Sequence, residues 1–130
     1  MDWTRGTKVT AGQYFTSTEF ECQCGKCTLQ QLDDGLISIL NQIRAELNNP
    51  IKVTSGFRCS EHQKDLLDGG TVQTVKKSTH ELGKAVDITS KDLNTLYTIC
   101  EKHVKAIGDG RSKGFIHIDM RDDKIRRWSY

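Results

Sequence analysis

Two amphipathic stripes of helical period, three short strand-like runs and a length of 130 residues predict a single α+β domain, a small antiparallel sheet packed with two main helices. The runs interleave with the stripes but lack the regular rhythm of βαβ units, so a doubly wound sheet is not expected. A chain of this size builds one hydrophobic core rather than two, and we expect one domain over residues 1–130 with residues 1–20 as an N-terminal extension.

The first stripe places Leu32, Leu36, Ile37, Leu40, Ile43 and Leu47 on one face and stops at Asn48, Asn49 and the single proline, Pro50, which predicts a helix over 32–47. A strand over Ile51–Ser55 follows. Asp68-Gly69-Gly70 and Asp109-Gly110 read as turns, and Gln63–Lys77 as a polar loop or short helix. A second strand is expected over Ala85–Thr89. The second stripe, Leu93, Leu96, Tyr97, Cys100 and Val104, predicts a helix over 91–105 with the Ser90 hydroxyl as its N-cap. Over Phe115–Met120, strand alternation sends Ile116, Ile118 and Met120 to one face and Phe115, His117, Asp119 and Arg121 to the other, so one face resembles a core and the other a site. Ile125–Trp128 reads as a short last strand.

Charge narrows the classes of partner. Lys and Arg number 19 against 17 Asp and Glu, and a net charge of +2 gives no basis for a polyanion surface, so nucleic acid is not expected as a partner. No run approaches the ~20 apolar residues that cross a bilayer. Met1–Thr10 is polar, with Asp2, Arg5 and Lys8, and lacks the apolar region of a secretory signal. The expectation is a monomer made in the cytoplasm without a signal peptide and without a membrane partner.

His80 and His117 each lie beside a turn or strand with a carboxylate near. Gly83 lets the chain bend between His80 and Asp87, and His117 would complete a set of two imidazoles and one carboxylate, the ligand chemistry of a catalytic zinc. Spacing alone does not establish it, because a histidine with an aspartate seven residues on is common. The five cysteines are an odd number, so at least one thiol is unpaired or on metal. Cys22, Cys24 and Cys27 enclose Gly25 in the manner of a knuckle, and Cys59 would close a structural metal site in a reducing compartment. Two disulfides with a spare thiol, or plain buried cysteines, are the other readings. Cys100 falls in the apolar stripe of the second helix and is expected in the core.

Ser55-Gly56-Phe57-Arg58, Ser78-Thr79-His80-Glu81-Leu82-Gly83-Lys84-Ala85-Val86-Asp87-Ile88 and Gly114-Phe115-Ile116-His117-Ile118-Asp119 stand in this order in the chain. Together they resemble the motifs of the zinc D-alanyl-D-alanine carboxypeptidase-like peptidases. These enzymes cleave peptidoglycan and include phage endolysins and some murein endopeptidases, and their metal site recurs in the hedgehog signalling domain. The resemblance runs from about Phe20 to Trp128. It implies a hedgehog/DD-peptidase-like fold with its core over about 20–128, zinc as cofactor, and His80, Asp87 and His117 as ligands. It also implies that Arg58 faces the active site and binds substrate, where a guanidinium offers a fixed fork of donors to a carboxylate or a developing oxyanion. Ser78 either hydrogen-bonds substrate or shapes the turn.

The activity so implied is zinc-assisted hydrolysis of peptidoglycan stem peptides or cross-links containing D-amino acids, as a carboxypeptidase or an endopeptidase, with a cell-wall peptide as the partner. A carboxylate must take and return a proton. Relatives carry an acid three residues before the last histidine ligand, and here that position is Gly114. Asp119, two residues beyond His117 on the same strand face, is either that base or the group that orients His117 or Arg121. Asp109, Glu81 and Asp122 are weaker candidates. Trp128 and Tyr130 either stack on substrate or close the core. The alternative is a module of the same fold that keeps zinc and binds without catalysis. The phage resemblance implies action on the wall after release from the cytoplasm, or as a virion component.

Overall fold

The structure is a computed structural model that describes residues 1–59, 80 and 82–130. The expected turn at Asp68-Gly69-Gly70, the segment Gln63–Lys77, Ser78 and Glu81 lie outside the described residues.

Helix α1 (Asp34–Leu47) starts where Asp33 accepts a hydrogen bond from the Leu36 N–H at 3.1 Å. It ends at Asn48, whose left-handed backbone (φ 54°) lets its N–H reach the Arg44 carbonyl. Pro50, unable to continue a helix, follows. The predicted stripe is the buried one: Leu36, Ile37, Leu40, Ile43 and Leu47 face inward. Helix α2 (Leu93–His103) is shorter than expected, and its cap is Asp92 rather than Ser90. Asp92 accepts from both the N–H and the hydroxyl of Thr95, at 3.1 and 2.6 Å, a bidentate cap that the Ser90 hydroxyl cannot match. Ser90 instead donates to the Asp92 carbonyl.

Four short strands precede α1: β1 (Asp2–Thr4), β2 (Thr10–Ala11), β3 (Phe15–Thr16) and β4 (Leu29–Gln31). β1 pairs with β4 and β2 with β3, both antiparallel. Residues 1–20, expected as an extension, place Trp3, Ala11, Phe15 and Phe20 in the same core as the helices.

The main sheet contains β5 (Lys52–Ser55), β6 (Ala85–Thr89), β7 (Ala106–Gly110), β8 (Phe115–Asp119) and β9 (Arg126–Ser129) in the order β5-β6-β8-β7-β9. β7 is an element that the sequence reading lacked, because its end, Asp109-Gly110, reads as a turn. The sheet is mixed rather than purely antiparallel, since β9 runs parallel to β7. Both edges of β8 are already taken by β6 and β7, so the chain that reverses after Asp119 pairs at the outer edge of β7.

Alternation divides the sheet into two faces. Val86, Ile88, Ile107, Ile116 and Ile118 are fully buried in one core with Leu40 of α1 and Leu96 of α2. Asp87, His117 and Asp119 point to the other face, as the strand pattern predicts. The loop after β5 is held to the N-terminal part by the Phe57 N–H, which donates to the Phe20 carbonyl at 2.9 Å. The approach is close enough that a Cβ on Gly56 would stand 2.5 Å from that carbonyl oxygen.

Two substitutions test this packing by urea unfolding. Leu40→Ala, at a side chain with no exposed surface, is expected to cost about 2–5 kcal/mol through lost burial and a cavity. Gly56→Ala is expected to cost about 1–3 kcal/mol, because backbone rather than a mobile side chain must give way.

Candidate metal centre and active site

The register of the main sheet sets a row of residues side by side across four strands. Asp87 on β6 pairs with His117 on β8, His117 with Gly108 on β7, and Gly108 with Trp128 on β9. His80, just before the turn that leads into β6, brings its ring to 5.1 Å from that of His117, roughly edge to face. One donor atom from each of His80, Asp87 and His117 lies within 4.8 Å of the others. Histidine and aspartate, far apart in the chain, meet because β6 and β8 are direct neighbours.

Each imidazole is fixed through its second nitrogen. His80 Nδ1 stands 2.7 Å from the Gly56 carbonyl, which only accepts, so Nδ1 carries the proton and Nε2 presents its lone pair towards Asp87 Oδ1 at 3.5 Å. His117 Nε2 stands 2.7 Å from Asp119 Oδ2, and its Nδ1 2.8 Å from Asp87 Oδ1. A histidine that ligates a metal normally donates its other ring N–H to a carbonyl or carboxylate, and both rings here do so. Two neutral-capable imidazole nitrogens and one carboxylate oxygen, close together, buried and anchored from behind, form a donor set that fits zinc.

Burial and these contacts set the electrostatics of the centre. Burial pushes the His80 pKa down and favours its neutral, ligating form. Burial would push the Asp87 carboxyl up, but the imidazoles of His117 and His80 beside it outweigh that and hold the group well below the usual carboxylate range. Burial likewise opposes ionisation of Asp119, yet His117 and Arg121 hold it down at about 2. His117 is raised, because its two carboxylate partners overcome the burial that would lower it.

Arg58 lies at the border of this centre. Its Nη2 is 3.5 Å from Asp87 Oδ2, its Nε donates to Ser55 Oγ at 3.2 Å, and its backbone N–H donates to the His80 carbonyl. Asp119 is wholly buried and densely bonded, accepting from His117, from the Arg121 N–H at 3.1 Å, and from Arg121 Nε and Nη2 at 2.9 and 2.7 Å. Gly114 closes the turn before β8 with φ 89°, a left-handed conformation that disfavours any side chain bearing an acid. Asp109 and Asp122 are held in ion pairs with Arg111 and Arg126. Ser78 and Glu81 lie outside the described residues.

Trp128 and Tyr130 are not part of the core. The Trp128 ring lies 5.4 Å from the His117 ring, reaching over the side-chain-free Gly108, and the Arg121 guanidinium stands over the indole at 4.8 Å. Tyr130 packs on Phe115 at 5.0 Å. The Gly56 carbonyl is the part of the site that sequence reasoning missed, and the contact of Trp128 with His117 and Arg121 was not among the expectations for that residue. No local pattern marks a backbone acceptor, and the partner of Trp128 depends on the β7–β9 pairing.

A family model described as Peptidase M15 matches residues 13–119. No curated protein matches the chain. The matched span contains the three ordered motifs, the residues of the centre and both described helices, and M15 peptidases are zinc-dependent. The chain belongs to the peptidase M15 family.

Proposed function

We propose that this protein is a zinc peptidase that hydrolyses peptidoglycan stem peptides or cross-links containing D-amino acids, in cell-wall lysis of the phage kind. The observation that carries the reading is the convergence of His80, Asp87 and His117, each anchored from behind, beside the Arg58 guanidinium. The family membership supports peptidase chemistry, and the motif resemblance supports the wall substrate.

His80 Nε2, Asp87 and His117 Nδ1 would hold the zinc, which when bound activates water near neutral pH and polarises the scissile carbonyl. The Gly56 carbonyl and Asp119 keep the two imidazoles in the tautomer and orientation that ligation needs. Arg58 offers donors to a substrate carboxylate or to the oxyanion that develops during attack. Trp128, with Arg121 stacked on it, screens one side of His117 from solvent. Asp119 serves as the positioning residue of His117 in this reading, because its oxygens are engaged by His117 and Arg121.

The second reading, a zinc-containing module that binds without cutting, is favoured by one observation: the position expected to carry an acid is Gly114 in a left-handed turn. Incubation with purified peptidoglycan, followed by mass spectrometry of the fragments, separates the two. We expect stem-peptide cleavage that chelation abolishes and that His80→Ala lacks together with one bound zinc. A zinc-loaded protein that cuts no wall type tested would leave the binding module standing.

Asp119→Asn separates positioning from proton transfer. As a positioning residue its loss weakens zinc affinity by about 10- to 100-fold, with turnover largely restored at saturating zinc. A base would instead show unchanged affinity and a loss of about 10²- to 10⁴-fold in rate at saturation.

A further inference from the structure

We propose that Cys22, Cys24, Cys27 and Cys59 form a second, structural zinc site that clamps the N-terminal part of the chain to the loop carrying Arg58. One sulfur from each of the four lies within 4.8 Å of the others. Cys59 Sγ is 3.7 Å from both Cys22 Sγ and Cys24 Sγ. Four sulfurs bound at ~2.3 Å to one tetrahedral zinc stand ~3.8 Å apart, whereas a disulfide needs ~2.05 Å. The spacing is therefore that of thiolates around an ion.

The backbone around these sulfurs has the form that thiolate ligands require. The N–H groups of Lys26 and Cys27 both donate to Cys24 Sγ at 3.3 Å, folding Cys24–Cys27 into a tight knuckle. The Cys59 N–H donates to Cys22 Sγ at 3.3 Å. Side chains complete the shell. Gln30 Nε2 donates to Cys27 Sγ at 3.3 Å and to the Cys27 carbonyl at 3.0 Å. Gln30 is buried, and its Oε1 accepts from the Cys22 N–H at 2.8 Å, so one amide spans both ends of the cysteine run. Arg5 directs Nη2 to Cys27 Sγ at 3.4 Å, and to Cys24 Sγ at 3.9 Å, while its Nε and Nη2 hold the carbonyls of Cys27 and Cys22 at 2.7 Å. A tetrathiolate zinc carries net negative charge, and the Arg5 guanidinium sits where that charge is offset.

This centre is separate from the His80–Asp87–His117 cluster, shares no ligand with it and does not depend on the peptidase reading. Closed by four protein sulfurs, it has no position for water or substrate, as a structural zinc requires. Its effect passes through the peptide bond between Arg58 and Cys59: a metal that holds Cys59 also fixes the residue whose side chain meets Asp87.

The test measures zinc in the full chain purified under reducing conditions. We expect about two zinc ions per wild-type chain, about one in His80→Ala, and about one in the Cys24→Ser/Cys27→Ser double variant. Should the double variant fail to fold, two other measurements decide: a thiol-binding mercurial releases one zinc per wild-type chain, and cobalt substitution of the wild type gives sulfur-to-metal charge-transfer absorption. Freely reactive thiols at all four positions in the zinc-loaded wild type overturn the proposal. So does an intact mass short of the hydrogens that two disulfides remove. Failure of the histidine centre reads differently, as a zinc content that His80→Ala leaves unchanged.

Discussion

His117 meets Asp87 only while β6 and β8 hold their register, and most of the molecule depends on that pairing. A slip of one residue would turn His117 into the core and bring Ile116 or Ile118 out to the site, since side chains alternate with a period of two. The slip is opposed from the other face, where Val86, Ile88, Ile116 and Ile118 are buried without exposed surface beneath the helices. Core packing and site assembly are thus two faces of the same strand alignment. Asp119 adds a lock of its own, bonded at once to the ring of His117 and to the guanidinium of Arg121.

The elements that sequence could reveal are those whose pattern has its own period. α1 showed its stripe and its stop at Asn48 and Pro50, and β6 was visible at its observed bounds. β7 was hidden because Gly108, Asp109 and Gly110 are poor strand formers, and Gly108 is there to let Trp128 reach His117. The four N-terminal strands are two or three residues long, too short for periodicity to register. His80, Asp87 and His117 were singled out through their ordered motifs, and the structure brings a donor atom of each within 4.8 Å of the others. The bonding of Asp119 to both His117 and Arg121 was not legible, because those contacts depend on geometry that only the fold supplies. Arg5 gave no signal either: a single arginine in a polar segment does not announce that it braces a cysteine cluster.

The site concentrates charge where burial makes charge expensive. Asp87, Asp119, Arg58 and two imidazoles share a small volume, and each carboxylate is sustained by donors around it. A divalent cation would relieve the crowding of imidazolium and carboxylate around Asp87, because it takes the place of the proton on His117 Nδ1. Binding energy at such a site is also folding energy, so metal content and stability are expected to move together.

The turn between β7 and β8 bears on the order in which the molecule assembles. These strands are joined by only Arg111–Gly114, so their pairing closes a very short loop and incurs little chain entropy. The partnership of β6 with β8 must enclose all of α2, and β5 with β6 must enclose residues 56–84. The entropic cost of closing a loop rises with the length of chain enclosed. The β7–β8 pairing, which carries His117 and Asp119, is therefore the one of lowest loop-closure cost among these three. The pairings that bring Asp87 and His80 beside His117 enclose longer stretches of chain, so the three candidate ligands meet only when the most costly loop closures of the sheet are complete.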